Sequence, residues 1–379
     1  MTPAGYDVVV VGLGAAGSAA VRELAGRGLS VLGVDRFAPD HRRGSSHGES
    51  RLIRSLYHEG AGYVPLLRDA YEGWRALEEE SGEELLLETG VVAVGAAAGP
   101  LVTGCLTTSE EHGLDHRELP AGELRERFPA FRLPPGRTAI LDPAGGVLLA
   151  RRCLSALRAG ARRAGAELRF GTAVLGWSRD GGSLAVETEA GPVHTGALVV
   201  AAGGWTADLV EETRLPLTVE RQTTHRFPPP AGVPCGPDRF PGFLLEREAG
   251  EALAYGIPDL GRGVKVALHH GGEEADRPED VRREVDPEEA GKARRAVEPL
   301  LPGPGRSPVD SRVCLYTDTP DGDFLIDRLE GEPPVILATG FSGHGFKFAP
   351  AVGRVAADLA EGRRAPFDLD PFRLGRWAE

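Results

Sequence analysis

A chain of 379 residues is longer than one hydrophobic core comfortably serves and points to two domains. Its net charge of -13 argues against nucleic acid or anionic membrane as a partner, because either would repel it without a compensating basic patch. The pairs Arg42-Arg43 and Arg162-Arg163 are too short to supply one, no apolar run approaches the ~20 residues that cross a bilayer, and the first strand starts too near the N-terminus to leave room for a signal peptide.

Residues 7–18 begin with four consecutive valines, a buried strand, and continue through Gly12, Gly14 and Gly17 into an Ala-rich helix. The G-x-G-x-x-G spacing between strand and helix describes a pyrophosphate clamp. Gly12 allows the tight turn, Gly14 lets the backbone approach the phosphates, and Gly17 lets helix and strand pack closely. Asp35, closing a second strand over residues 29–34, is placed to accept ribose hydroxyls and would repel a 2′-phosphate; the dinucleotide is therefore NAD-like or FAD.

Residues 44–54 form a polar loop carrying Arg51 and Arg54. By composition it is a surface loop with two solvated charges; on a tight-turn path both guanidinium groups could instead point at a carboxylate or a polarised ring. Residues 63–81 read as a helix whose stripe of Tyr63, Leu66, Leu67, Ala70, Tyr71, Trp74 and Leu77 faces the core. A strand at 90–94 and a helix near 101–112 follow, then a helix at 150–164, a strand at 167–170 and a hairpin about Asp180-Gly181-Gly182. The buried run at 196–202 ends in Gly203 and Gly204 and opens a helix, so its end lies against something large and flat.

Segments 217–227, 242–246, 253–257 and 263–269 alternate as short strands of an antiparallel sheet. Lys265 and His269 share one face with Ala267, while Val264 and Val266 point the other way, leaving a polar face that is either wet or an active site. Charged residues 273–295 read as an exposed turn and helix. A strand at 312–321 puts Cys314 and Tyr316 on one face, and a third buried strand at 334–340 runs into a Gly-rich turn and a helix at 351–360. The four cysteines Cys105, Cys153, Cys235 and Cys314 show no metal-ligand spacing, so free thiols in a reducing cytoplasm and no metal are expected.

Taken together, the opening through Asp35, the loop from Ser46 to Arg54, Lys265 with His269, the run Cys314-Leu315-Tyr316-Thr317 and the turn from Gly340 to Lys347 resemble the monomeric sarcosine oxidase and N-methyltryptophan oxidase family of flavoproteins over nearly the whole length. The resemblance implies an α/β fold: an FAD-binding Rossmann-like domain from residues 1–84, 145–215 and 320–379, with an inserted antiparallel substrate domain from 85–144 and 216–319. It implies FAD joined through sulfur to Cys314, with Gly12, Gly14, Gly17, Asp35, Arg36, Ser45, Ser50, Gly203, Gly343, Gly345 and Lys347 at the cofactor. Arg54 and Lys347 match the pair that holds the substrate carboxylate. Arg51 and Lys265 match the cations beside the flavin ring, Lys265 at the position of oxygen activation.

Tyr255, His269, Tyr316 and His344 match residues around the substrate amine, and no general base is required. Leu244 and the segments 227–238 and 246–254 depart from the family pattern, and these are the parts that set side-chain preference. The implied reaction is oxidation of a secondary (N-methyl) or cyclic α-amino acid to an imine, with oxygen reduced to hydrogen peroxide, by a cytoplasmic monomer or weak homodimer. A tailoring enzyme for a bulkier amino acid, an NAD-dependent dehydrogenase and a non-catalytic flavoprotein are the alternatives.

Overall fold

A computed structural model describes residues 5–248 and 250–377. The valine run forms the strand Tyr6–Val11, and its alternation decides how it is buried. Val8 and Val10 face a cluster with Val21 and Leu24 of the helix Ala15–Gly26, while Val9 and Val11 enter a second cluster with Leu32 and Leu198 on the opposite face. A strand covered on both faces has no polar side, which is why the sequence reads as an unbroken apolar run.

This strand lies between Val31–Asp35 and Val193–Val200, parallel to both, in an eight-stranded sheet. The outer edge of Val193–Val200 is divided. Its first residues pair antiparallel with Ser183–Thr188, and Leu198, Val199 and Val200 pair parallel with Val335, Ile336 and Leu337. Helices Ala15–Gly26 and Ala349–Ala360 cross where a Cβ on Gly353 would come within 2.6 Å of the Ala19 backbone, so a small residue is needed there.

The second sheet has nine strands and is mainly antiparallel. Thr218–Phe227 pairs with Val264–His269 and, over nine residue pairs from Thr218↔Asp318 to Arg226↔Asp310, with Asp310–Asp318. Gly242–Leu245 lies parallel to Val91–Gly95, which joins the earlier part of the chain to this sheet. As the alternation predicts, Val264 and Val266 enter an apolar cluster with Phe227 and Phe243, and helix Pro287–Val297 seals it with Ala290, Ala293 and Val297. Lys265 and His269 point to the other face, toward the first sheet. The short sheet of Arg51–Ile53, Gly146–Leu148 and Leu86–Leu87 lies between.

Three local readings change. The helix expected after Gly204 is a 3-10 turn, Gly203–Trp205, followed by the single turn Thr206–Leu209; the Trp177 indole donates to the Leu209 carbonyl at 2.9 Å, taking the acceptor that a further turn would use. Residues 273–295 are mostly exposed, as expected, but they open with a short strand, Glu273–Ala275, that pairs with the Thr218–Phe227 strand. Their helix is confined to Pro287–Val297 by a capping box in which Asp286 and Glu289 each accept an amide at the first turn. Residues 44–54 are only partly exposed, and their two arginines are not the solvated charges that composition suggests: Arg54 is 5 % exposed and Arg51 is half-buried.

Candidate active site

A cavity of about 520 Å³ opens between the two sheets. Four pieces of chain line it: the turn at Gly12 and Gly14, the loop from Gly44 to Arg54, the inner face of the nine-stranded sheet, and the turn from Gly340 to Lys347. Every site residue expected from the sequence lines this cavity except Gly17 and Ser50. A Cβ on Gly17 would stand 1.8 Å from the Gly12 carbonyl oxygen, so Gly17 serves the strand–helix contact and reaches no ligand. Ser50 is fully buried and acts through its carbonyl.

At the dinucleotide end, Gly12 has φ +92° and a Cβ there would come within 2.4 Å of the Ala201 carbonyl oxygen, so only glycine fits. The Ala15 amide donates to Ser46 Oγ at 3.0 Å, tying the loop to the helix N-terminus. Asp35 accepts the Leu13 and Phe37 amides, one on each oxygen at 2.8 Å, and each oxygen retains a lone pair for a further donor. Arg36 is paired with Glu279 at 3.0 Å and packs on Trp205. Arg158 also lines this end, donating to the Leu13 carbonyl at 2.6 Å. Sequence reading missed it, although it sits on the buried stripe of helix Ala150–Arg163 with Leu154, Leu157 and Ala161, where an arginine needs a polar partner.

At the other end, Cys314 lies buried with Sγ 3.7 Å from the Ser45 carbonyl oxygen, and Tyr316 follows on the same face. Arg51 donates to the Ser45, His47 and Ser50 carbonyls at 2.7, 2.6 and 2.9 Å, so the loop is wrapped around its own guanidinium group. Lys265 Nζ donates to the Ser50 carbonyl at 3.1 Å. Burial drives its ammonium well below the usual lysine range, and Arg51 and Arg226 nearby push the same way. A negative charge placed beside it would favour the ammonium form. Burial likewise lowers His47 to about 3, and neither of its ring nitrogens has a hydrogen-bond partner.

The polar end of the cavity gathers Arg54, Lys347, His344, Tyr57, His58 and Glu59. Glu59 accepts from Arg54 Nη2; burial opposes a charged Glu59, but Arg54 and then His58 hold its carboxyl well below the usual range. Nε and Nη1 of Arg54 have no partner. Lys347 Nζ donates to the His344 carbonyl at 2.7 Å and lies 5.1 Å from the Tyr57 ring centre; burial and Arg54 lower its ammonium well below the usual range. His344 is lowered to about 3, chiefly by burial, and is therefore neutral. Its Nε2 faces the Gly322 carbonyl at 3.2 Å and must carry the hydrogen, leaving Nδ1 to accept from the Tyr57 hydroxyl.

Tyr255, His269 and Tyr316 form the adjoining wall, with the Tyr316 hydroxyl 3.1 Å from His269 Nδ1 and Lys265 Nζ 5.7 Å from the Tyr255 ring centre. Gly343 has φ +77°, and a Cβ there would strike the Tyr316 ring at 2.3 Å. Tyr57, His58 and Glu59 were not anticipated. They follow Arg54 in a segment without strand or helix period, and only the turn of the chain brings them around it.

Buried polar atoms without partners mark where a ligand's own polar groups belong. His47, Arg54, Gln222 Nε2 and Thr317 Oγ1 supply such atoms along one cavity that begins at a phosphate-binding turn. The residues present fit a dinucleotide with a flat, polar ring system, and the class that fold and site define is a dinucleotide-dependent oxidoreductase. More narrowly, residues 7–359 match the family described as FAD dependent oxidoreductase, and the chain belongs to it. It is 38% identical to monomeric sarcosine oxidase of Streptomyces avermitilis over 97% of this chain and 98% of that enzyme. Its identity to N-methyl-L-tryptophan oxidase of Salmonella agona is 33%, over 99% and 100%. Among solved structures, NikD, described as an unusual amino acid oxidase essential for nikkomycin biosynthesis, superposes with a TM-score of 0.84 at 27% identity, covering 97% of each chain. No described helix is long and apolar enough to cross a membrane.

Proposed function

We propose that the chain is an FAD-dependent oxidase of a secondary or cyclic α-amino acid. The observation that carries this reading is the presence, in one cavity with Lys265 and Cys314, of two buried basic side chains, Arg54 and Lys347, of which Arg54 keeps Nε and Nη1 unpartnered. A planar fork beside a point charge suits a carboxylate. Bound FAD supplies the acceptor for a hydride from the carbon beside the amine, and its reoxidation by oxygen yields hydrogen peroxide.

Around that chemistry each group has a task. Gly12, Gly14 and the Ala15–Gly26 helix N-terminus take the pyrophosphate, and Asp35 takes the ribose hydroxyls. Cys314 bonds the ring through sulfur. Lys265, beside Arg51, provides the positive charge that stabilises reduced oxygen species. His269, Tyr255, Tyr316 and neutral His344 shape the space around the amine, and Leu244 borders it on the apolar side. No side chain needs to remove a proton from a neutral secondary amine. The division into an FAD-binding unit (1–84, 145–215, 320–379) and a substrate unit (85–144, 216–319), a cytoplasmic location and a monomer or weak homodimer belong to the same reading.

The relatives named for sarcosine and N-methyl-L-tryptophan support the secondary-amine class, and NikD supports a second reading, a bulkier amino acid as substrate. A peroxide assay over N-methyl and cyclic amino acids, each beside the matching amine without its carboxylate, tests both. Turnover confined to the carboxylated members is expected; equal turnover of the bare amines overturns the reading.

A further inference from the structure

Three strands of the nine-stranded sheet bring together side chains that the cavity does not use. Glu220 lies on Thr218–Phe227, Asp318 ends Asp310–Asp318, and His270 follows Val264–His269. One ligand-type atom from each, an imidazole nitrogen and two carboxylate oxygens, falls within 4.8 Å of the other two. The cluster is a layer behind the cavity wall: the His270 ring centre lies 4.3 Å from that of His269, the two rings tilted, and 5.3 Å from that of Tyr316.

Two features of the cluster ask for a cation. Glu220 is buried and already accepts from His270 Nδ1 at 2.9 Å and from the Gly272 amide at 2.6 Å. Asp318, by contrast, has Oδ1 buried with no hydrogen-bond partner. Two carboxylates therefore face each other with a single imidazole beside them, and a cation placed among the three would take a ligand atom from each. The His270 side chain is 42% exposed, which gives an ion a way in from solvent.

We propose that Glu220, His270 and Asp318 form a binding site for a divalent cation of the zinc class, distinct from the flavin cavity. A nitrogen with two carboxylate oxygens is a borderline ligand set; it favours zinc over magnesium or calcium, which take oxygen alone. Metal–ligand bonds of about 2.0–2.1 Å imply ligand atoms ~3.3 Å apart, within reach of small side-chain rotations from the present spacing. The ion takes the place of the hydrogen on Nδ1 while the bound imidazole carries its one hydrogen on Nε2, so a doubly protonated His270 gives up one proton to solvent on binding and a singly protonated one only shifts its hydrogen. The three residues are scattered through the sequence and share no ligand spacing, which is why no metal was expected from it.

The test is calorimetric titration of zinc chloride into the tag-free, flavin-loaded protein. One equivalent per chain is expected to bind. Its affinity should fall at least tenfold in His270→Ala and in Asp318→Asn but not in His112→Ala, and magnesium chloride should give no comparable heat. Undiminished zinc binding in His270→Ala, or no binding to the unaltered protein, overturns the proposal. Should a variant fail to fold, zinc-soaked crystals of the unaltered protein decide: an anomalous peak among the three side chains supports the site, and a map without one there overturns it. Neither result depends on which amino acid the flavin oxidises.

Discussion

Arg54 and Glu59 form a buried ion pair inside the cavity, and the pair uses only one of the guanidinium's faces. Glu59 takes Nη2, while Nε and Nη1 remain without partners. The protein thus supplies the countercharge that keeps Arg54 ionised where burial opposes it, and leaves donors over for a second anion.

Replacing Arg54 by Lys keeps a charge and removes the fork. Removing the fork while the charge stays forfeits a hydrogen bond between charged groups, worth about 1.5–3 kcal/mol. KM for a carboxylated substrate should rise on the order of a hundredfold while kcat falls less. Steady-state kinetics check this, and an unchanged KM would remove Arg54 from carboxylate binding.

Lys265→Met should separate the two halves of turnover. Oxygen consumption is expected to fall on the order of 10²-fold, the usual loss on removing one preorganised electrostatic group. Anaerobic bleaching of the flavin by substrate should persist within a few-fold. Stopped-flow absorbance of each half-reaction measures both, and equal loss in the two would exclude a role specific to oxygen.

Cys314→Ser tests the sulfur link. The unaltered protein should keep its yellow colour in the pellet after acid denaturation, and the variant should release it to the supernatant. Colour free in the supernatant in both cases would show that no bond forms.

Buried imidazoles, four of them lowered to about 3 or 4, set an acid limit to stability. Burial is the leading cause that lowers His47 and His344 to about 3, and His58 and His225 to about 4, against an ordinary value near 6.5. Between those values the unfolded chain binds more protons than the folded one, so stability is full above about pH 6.5 and is lost as pH falls toward 4. Each group inside its window contributes about 1.4 kcal/mol per pH unit. Urea melts at pH 7, 6 and 5 should show a steepening decline, and His225→Phe, which removes one of the four, should flatten it; a pH-independent midpoint would contradict the neutral assignment.

What the sequence discloses depends on how local the cause is. Gly12, Gly14, Gly17 and Asp35 are legible because a turn, a helix start and a strand end follow one another along the chain. Lys265 with His269, and Cys314 with Tyr316, are legible because a strand's two-residue period sorts faces. The loop from Gly44 to Arg54 has the composition of a surface segment; its carbonyls turned onto Arg51, its tie to the Ala15 amide and the pairing of Arg51–Ile53 with Gly146–Leu148, all set by the fold, hold it against the cavity. Glu59 and Arg158 were silent for a related reason: each takes its meaning from a neighbour placed by the fold. The substrate's side chain is hidden by the same limit, since Leu244 and Tyr255 meet only through the pairing of their strands.

The parallel pairing of Val335–Thr339 with Val193–Val200, and the donation of the Trp74 indole to the Lys347 carbonyl at 2.7 Å, carry a lesson about biosynthesis. The ribosome releases Gly12 and Arg54 well before Lys347, yet all three line one cavity. A nascent chain therefore cannot complete the walls of that cavity until the turn bearing Lys347 and the helix Ala349–Ala360 behind it have emerged.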